Sequence, residues 1–189
     1  MDLFKAIKDR RSCRNFVNEP VDSKTIEKVL EAAAWAPSPL NTQPWQFIII
    51  TSDDKKNELF SEAERCRSWA IEESGWTWLN KYKADFLKEA PVIIAVIGDP
   101  QKTGVDMFQK EGSAGYQLAC AAAIQNMLLA AHALGLGGLW FTFFDKPQMR
   151  KILDIPENKT PISLVCIGKP KSAMAAVPRK DVKEKTKYI

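Results

Sequence analysis

Two short segments of this 189-residue chain concentrate side chains suited to an anionic, hydroxyl-rich ligand. Arg10-Arg11-Ser12-Cys13-Arg14 sets three guanidinium groups and a hydroxyl within one short stretch. Planar forked donors of that kind match the oxygens of a phosphate. Further along, Ala36-Pro37-Ser38-Pro39-Leu40-Asn41-Thr42-Gln43-Pro44-Trp45 reads as a proline-braced polar loop. Its Ser38, Asn41, Thr42 and Gln43 can bond ligand hydroxyls or backbone, while the prolines restrict the chain and lower the cost of ordering it. Taken alone, the arginine run also fits an ordinary solvated helix end.

Other chemistries find less support. The single histidine, His132, stands in an apolar stretch without a partner for a triad or a multi-histidine metal site, and reads as a satisfied core or interface residue. Cys13, Cys66, Cys120 and Cys166 form no Cys-x-x-Cys pair, so no zinc site and no redox motif is expected. Cys13 is flanked by arginines but has no general base nearby in sequence, which makes it a packing residue. Gly135-Leu136-Gly137-Gly138 lacks the third glycine of a dinucleotide fingerprint, since Trp140 stands in its place, and it follows a helix where the fingerprint follows a strand. The net charge of +4 is modest and the basic tail mixes both signs, which argues against a nucleic-acid binder. The charged N-terminus is no signal peptide, and polar residues interrupt the longest apolar stretch. A cytoplasmic protein with reduced thiols and no membrane span is expected.

The elements that must carry these groups follow from periodicity. Leu3, Phe4 and Ile7 give one apolar face to a short helix ending at the arginine segment. Asp22 or Ser23 caps a helix over residues 24–35, with Ile26, Val29, Leu30 and Ala33 inward and Pro37 as its stop. Further helices are predicted over 53–68, 78–88, 113–134 and 147–153, the third apolar nearly all round and ended by Gly135 and Gly137. β-Branched and aromatic runs at 47–50, 92–97, 139–144 and 162–167 predict four strands, mostly covered on both faces. With 46% hydrophobic and 26% charged residues, the whole chain, 1–189, reads as one domain. The tail from 169 has too little apolar content for an element of its own. Trp69, Trp76 and Trp78 cluster where they serve either as core or dimer residues or as stacking partners for planar substrates, and the sequence alone leaves both open.

The arginine segment, the Asn-Thr-Gln-Pro-Trp loop and the glycine-rich helix end leading into Leu139-Trp140-Phe141-Thr142 together resemble the FMN-dependent nitroreductase family. The resemblance runs over nearly the whole chain and is thinnest over residues 57–88. It implies an α+β fold, a mixed β-sheet flanked by helices in an intertwined homodimer whose C-terminal arms exchange. It implies FMN as cofactor, with Arg10 and Ser12 at the phosphate and ribityl end, Arg11 assisting, and Arg179 or Lys180 closing from the tail. Arg14 matches the basic position beside N1 and O2 of the flavin ring, Trp140, Phe141 and Thr142 pass near N5, and Ser38, Pro39 and Asn41 come from the second subunit. It further implies NADH or NADPH as electron donor and nitroaromatics or quinones as acceptors in a ping-pong reaction. Related members carry out reductive dehalogenation instead, and a non-catalytic flavin-binding storage or sensor protein is the alternative from another class.

Overall fold

The computed structural model describes residues 2–109 and 112–189. Four strands, β1 (Trp45–Ile50), β2 (Val92–Gly98), β3 (Gly137–Phe141) and β4 (Thr160–Gly168), form one sheet in the order β1-β2-β4-β3. All three ladders are antiparallel. A mixed sheet was expected, and the parallel component is confined to an isolated bridge between Ser12 and Gly138 on the outer edge of β3. That edge strand has only β4 beside it, so its other side is open for the arginine segment.

The alternation of strand side chains divides the core in two. Ile93, Ala95, Leu139, Phe141, Leu164 and Cys166 face one layer. Val92, Ile94, Val96, Val165 and Ile167 face the other. The first layer is closed by α3 (Asp53–Ser74), α4 (Phe86–Glu89) and α6 (Lys146–Ile152), the second by α2 (Ser23–Ala34) and α5 (Gly115–Ala133). A short α1 (Leu3–Asp9) leans on α5. None of these helices is long and apolar enough to cross a membrane.

Local chemistry sets the boundaries. Asp22, rather than Ser23, caps α2 by accepting from the Thr25 N–H at 3.0 Å. Gly135, at φ +80°, ends α5, with the Leu136 N–H reaching back to the Ala131 carbonyl at 2.8 Å. Gly137 does not help end the helix; it opens β3, which therefore starts two residues earlier than the apolar run and stops at Phe141, where the Phe144 N–H turns back onto the Thr142 carbonyl. Nothing breaks α3 until Gly75 at φ +65°, so it runs six residues past the predicted end at 68. The predicted helix over 78–88 is replaced by a 3-10 turn, Thr77–Lys81, and the four-residue α4. Leu79 and Phe86 are buried and Tyr82 half-buried, so two short turns satisfy the helical spacing of their apolar groups, with Tyr82 extended between them.

Two expectations about apolar surface are revised. Leu3, Phe4 and Ile7 are exposed, and of α1 only Ala6 is buried within this chain. His132 is half-buried with its Nε2 sealed from solvent and unpartnered, not satisfied.

Candidate functional site

The arginine segment is extended chain, pinned from both sides. The Cys13 N–H donates to the Gly138 carbonyl at 3.0 Å, the Val17 N–H to Lys169 at 2.8 Å, and the Lys171 N–H to Asn15 at 3.0 Å. It lies so close to β3 that a Cβ on Gly137 would stand 2.7 Å from Cys13 Cβ. Glycine is required there because any side chain would push the segment off the strand. Cys13 is buried, burial pushes its thiol up, and its Sγ donates to the Asn15 carbonyl at 3.2 Å, as a packing residue should.

Beyond this anchor opens a cleft of about 520 Å³, walled on one side by Arg10, Arg11, Ser12 and Arg14 and on the other by tail residues Ser172, Ala173, Met174, Ala175, Val177 and Arg179. Among the described residues, four guanidinium groups line it and no carboxylate does. Burial, then repulsion from Arg11 and Arg179, push Arg10 below its ordinary value, although a guanidinium stays charged throughout the working pH range. Arg11 spends Nη1 on the carbonyls of Lys8 and Arg10, while its Nε is buried without a partner. Crowded cations and an orphaned buried donor are both relieved by a bound anion, so the residues present fit a phosphate.

The open edge of β3 continues from this cleft. Backbone polar groups alternate sides along a strand, and Gly138 points its carbonyl outward to Cys13, so the backbone of Trp140 faces the same open edge. Phe141 is turned the other way. Its ring is buried against Phe86 at 5.4 Å between centroids, and its carbonyl accepts from Ser163 Oγ at 3.1 Å. At the edge the backbone of Trp140 and Thr142, and not that of Phe141, is left to meet a ligand. Arg14, exposed at the far side of the segment, lies close enough to Tyr82 to act on its hydroxyl, where burial outweighs it and pushes the phenol up.

The loop holding Ser38, Pro39 and Asn41 stands elsewhere. Thr42 Oγ1 donates to the Lys102 carbonyl at 2.9 Å, Ser38 Oγ accepts from the Gln43 N–H at 3.0 Å, and Pro39 packs on Gly104 at the N-terminal end of α5. The arginine segment sits beside the C-terminal half of that helix, where Gly138 approaches Leu128. With 19 residues, α5 is roughly 28 Å long. One chain therefore does not bring the two segments together. The loop is strained, with Leu40, Asn41 and Gln43 all at positive φ, a cost usually tolerated where a loop has work to do. Lys180 is exposed and outside the cleft.

Sequence reasoning missed Asn15 and the stretch 172–177 as cleft walls, because a tail without periodicity gives no local sign of where it lies. Tyr82 was missed because the predicted helix over 78–88 hid it. Among the described residues no group of His, Cys, Asp and Glu is arranged to hold a metal ion.

Residues 7–169 match the model of the nitroreductase family. A protein of Methanothermobacter thermautotrophicus, provisionally named NADH dehydrogenase/NAD(P)H nitroreductase, is 32% identical over 174 residues, covering 90% of this chain and 78% of that one. Iodotyrosine deiodinase 1 of Rattus norvegicus is 30% identical over 195 residues, 98% of this chain and 67% of its own. A provisionally named nitroreductase from Desulfovibrio desulfuricans, solved in complex with FMN, superposes with a TM-score of 0.76 at 28% identity and covers 98% of this chain and 95% of that one.

Proposed function

This chain belongs to the nitroreductase family, and from that premise we propose that it is an FMN-dependent oxidoreductase drawing on NADH or NADPH to reduce small aromatic electron acceptors. The observation that carries the reading is the carboxylate-free cleft in which Arg10, Arg11, Arg14 and Arg179 converge beside an open strand edge. The FMN complex of the Desulfovibrio relative supports the identity of the cofactor, and the Methanothermobacter relative's name supports the donor. Bound FMN supplies the hydride chemistry; the protein binds, orients and tunes it.

In this reading Arg10 and Arg179 hold the phosphate, the Ser12 hydroxyl adds a bond at the ribityl end, and the orphaned Arg11 Nε finds its acceptor there. Arg14 holds a fixed positive charge where reduction deposits negative charge on the ring. Trp140 and Thr142 offer backbone groups along the β3 edge, and the buried ring of Phe141 stiffens the strand behind them. Ser38, Pro39 and Asn41 come from a second chain, because within one chain α5 holds them away. The exposed apolar side chains of α1, with Trp35 and Leu118, offer that second chain a surface, and exchange of the C-terminal arms would extend it.

The test is spectroscopic. The purified protein should be yellow, with flavin released as FMN on denaturation, and anaerobic NADH or NADPH should bleach it within one turnover. A flavin that binds but is not bleached by either nucleotide would leave a storage or sensor protein, and a colourless protein that takes up no FMN would remove the reading.

A further inference from the structure

The strained loop over residues 38–43 keeps nearly all its hydrogen bonds to itself. The Asn41, Thr42 and Gln43 N–H groups donate to the Ser38 carbonyl, the Pro39 carbonyl and Ser38 Oγ, each at 3.0 Å. Among the described residues, the one hydrogen bond that leaves the loop runs from Thr42 Oγ1 to the Lys102 carbonyl, 60 positions along the chain. Side chains disfavour the left-handed region, so Leu40, Asn41 and Gln43, at φ +51°, +53° and +45°, hold a shape that the loop abandons unless something outside fixes it. That outside support lies on the turn that follows β2.

Three contacts make the support. Thr42 holds Lys102, the Asp99 N–H donates to the Pro44 carbonyl at 2.9 Å, and Gly104, at φ +83°, admits Pro39 where a Cβ would stand 2.5 Å from Pro39 Cβ. The turn itself is centred on Asp99. Its Oδ1 accepts from the Gln101 N–H at 3.1 Å, its carbonyl from the Lys102 N–H at 3.0 Å, and its Oδ2 from the Lys159 ammonium. Lys159, one residue before β4, is fixed as well, its N–H donating to the Pro156 carbonyl at 2.9 Å and its carbonyl accepting from Arg150 Nε at 3.0 Å. The ion pair is nearly dry, with 17% of the Lys159 side chain and 10% of the Asp99 side chain exposed. Burying two charges costs solvation, and the β2–β4 ladder already joins these chain ends by pairing Gly98 with Thr160. The sheet has little need of the pair; the turn beyond it, which has no ladder, is what the pair fixes.

We propose that Thr42 and the Asp99–Lys159 pair are positioning residues for this loop: the hydroxyl latches the loop to the turn and the ion pair bolts the turn to β4, so that Ser38 and Asn41 stand ready for the ribityl chain of a flavin held by a second copy of the protein. The proposal rests on the flavoenzyme reading above and adds to it what holds the loop before a ligand arrives. A loop already in its bound shape takes nothing from the binding energy for its ordering. With the latch cut, the residues at positive φ relax, and the flavin must restore their strain when it binds. The loop's groups act on hydroxyls and not on the phosphate. A cut latch therefore weakens FMN and riboflavin by the same factor, unlike a lesion among the arginines.

Three variants make the test. Thr42→Val keeps the branched shape and removes the hydroxyl, Thr42→Ser keeps the hydroxyl, and Asp99→Asn combined with Lys159→Gln removes both charges together, leaving neither buried alone. In the flavin-free protein, hydrogen exchange at the Asn41, Thr42 and Gln43 amides should be about ten-fold faster or more in Thr42→Val and in the double variant, and within about two-fold of the unaltered rate in Thr42→Ser. In fluorescence titrations Thr42→Val and the double variant should each weaken FMN and riboflavin equally, by about five- to ten-fold, and Thr42→Ser should restore both. Unchanged exchange, a loss confined to FMN, failure of Thr42→Ser to rescue, or faster exchange spread over α2 and the sheet would overturn the proposal. An unaltered protein that binds neither flavin, while Thr42→Val still frees the loop, would instead sink the flavoenzyme reading and leave the latch standing.

Discussion

A guanidinium crowded by two others and partly withdrawn from water is held at a cost, and Arg10 is in that position beside Arg11 and Arg179. A dianion in the cleft repays it. Arg10→Ala should therefore weaken FMN ten-fold or more, since charge-assisted bonds are worth about 1.5–3 kcal/mol. Riboflavin, which has no phosphate, should be nearly indifferent, and equal losses for both ligands in a fluorescence titration would reject the assignment. The role proposed for Arg14 is elsewhere on the ligand: Arg14→Gln should lower the bound flavin's midpoint potential with a smaller effect on oxidised FMN affinity, and an unchanged potential in a spectroelectrochemical titration counts against that role. Arg10, Arg11, Ser12 and Arg14 were legible because they share one extended segment. Arg179 entered only through a resemblance, and its neighbours in the tail stayed hidden because nothing local in 172–177 says what it lies against. Phe141 shows the limit of residue type as a guide, because its ring belongs to the core and its backbone is turned toward β4.

Among the elements, the contact between α3 and α6 turns on one carboxylate. Glu62, buried on α3, accepts from Arg65 at 2.7 and 2.9 Å, from the Cys66 thiol at 3.1 Å and from the Asp145 N–H at 3.0 Å. Burial works to raise it, but these donors together outweigh burial and leave it below its ordinary value of 4.5. A carboxyl lowered by folding contributes stability that is complete above 4.5 and is lost as the pH falls through its folded value. Glu62→Gln should thus cost about 1–3 kcal/mol at neutral pH, and its Tm gap from the unaltered protein should narrow on acidification below pH 4.5. A gap constant with pH in thermal melts would show that packing, not charge, holds this joint. Long periodic helices such as α2 and α5 were readable from sequence to within a residue or two at each end. Residues 78–88 were not, because spacing tells which side chains face the core but not whether one helix or two turns put them there.

At the level of the whole molecule, the sequence order of segments was legible and their distance apart was not. The loop around Ser38 and the arginine segment lie toward opposite ends of α5, and in the proposed dimer two-fold symmetry would bring one chain's loop to the other's cleft. Subunit complementation tests this most directly. One variant carries Arg10→Ala with Ser12→Ala and another Ser38→Ala with Asn41→Ala; each alone should be inactive. In a mixed dimer both lesions fall in one site and the other is intact, so randomly remixing equal amounts should restore about a quarter of the sites, half the dimers each having one. Recovery of that fraction of NADH- or NADPH-driven turnover, with subunit exchange verified by mass spectrometry, is the predicted result; activity that stays at zero after verified exchange would place the whole site within one chain and contradict the account.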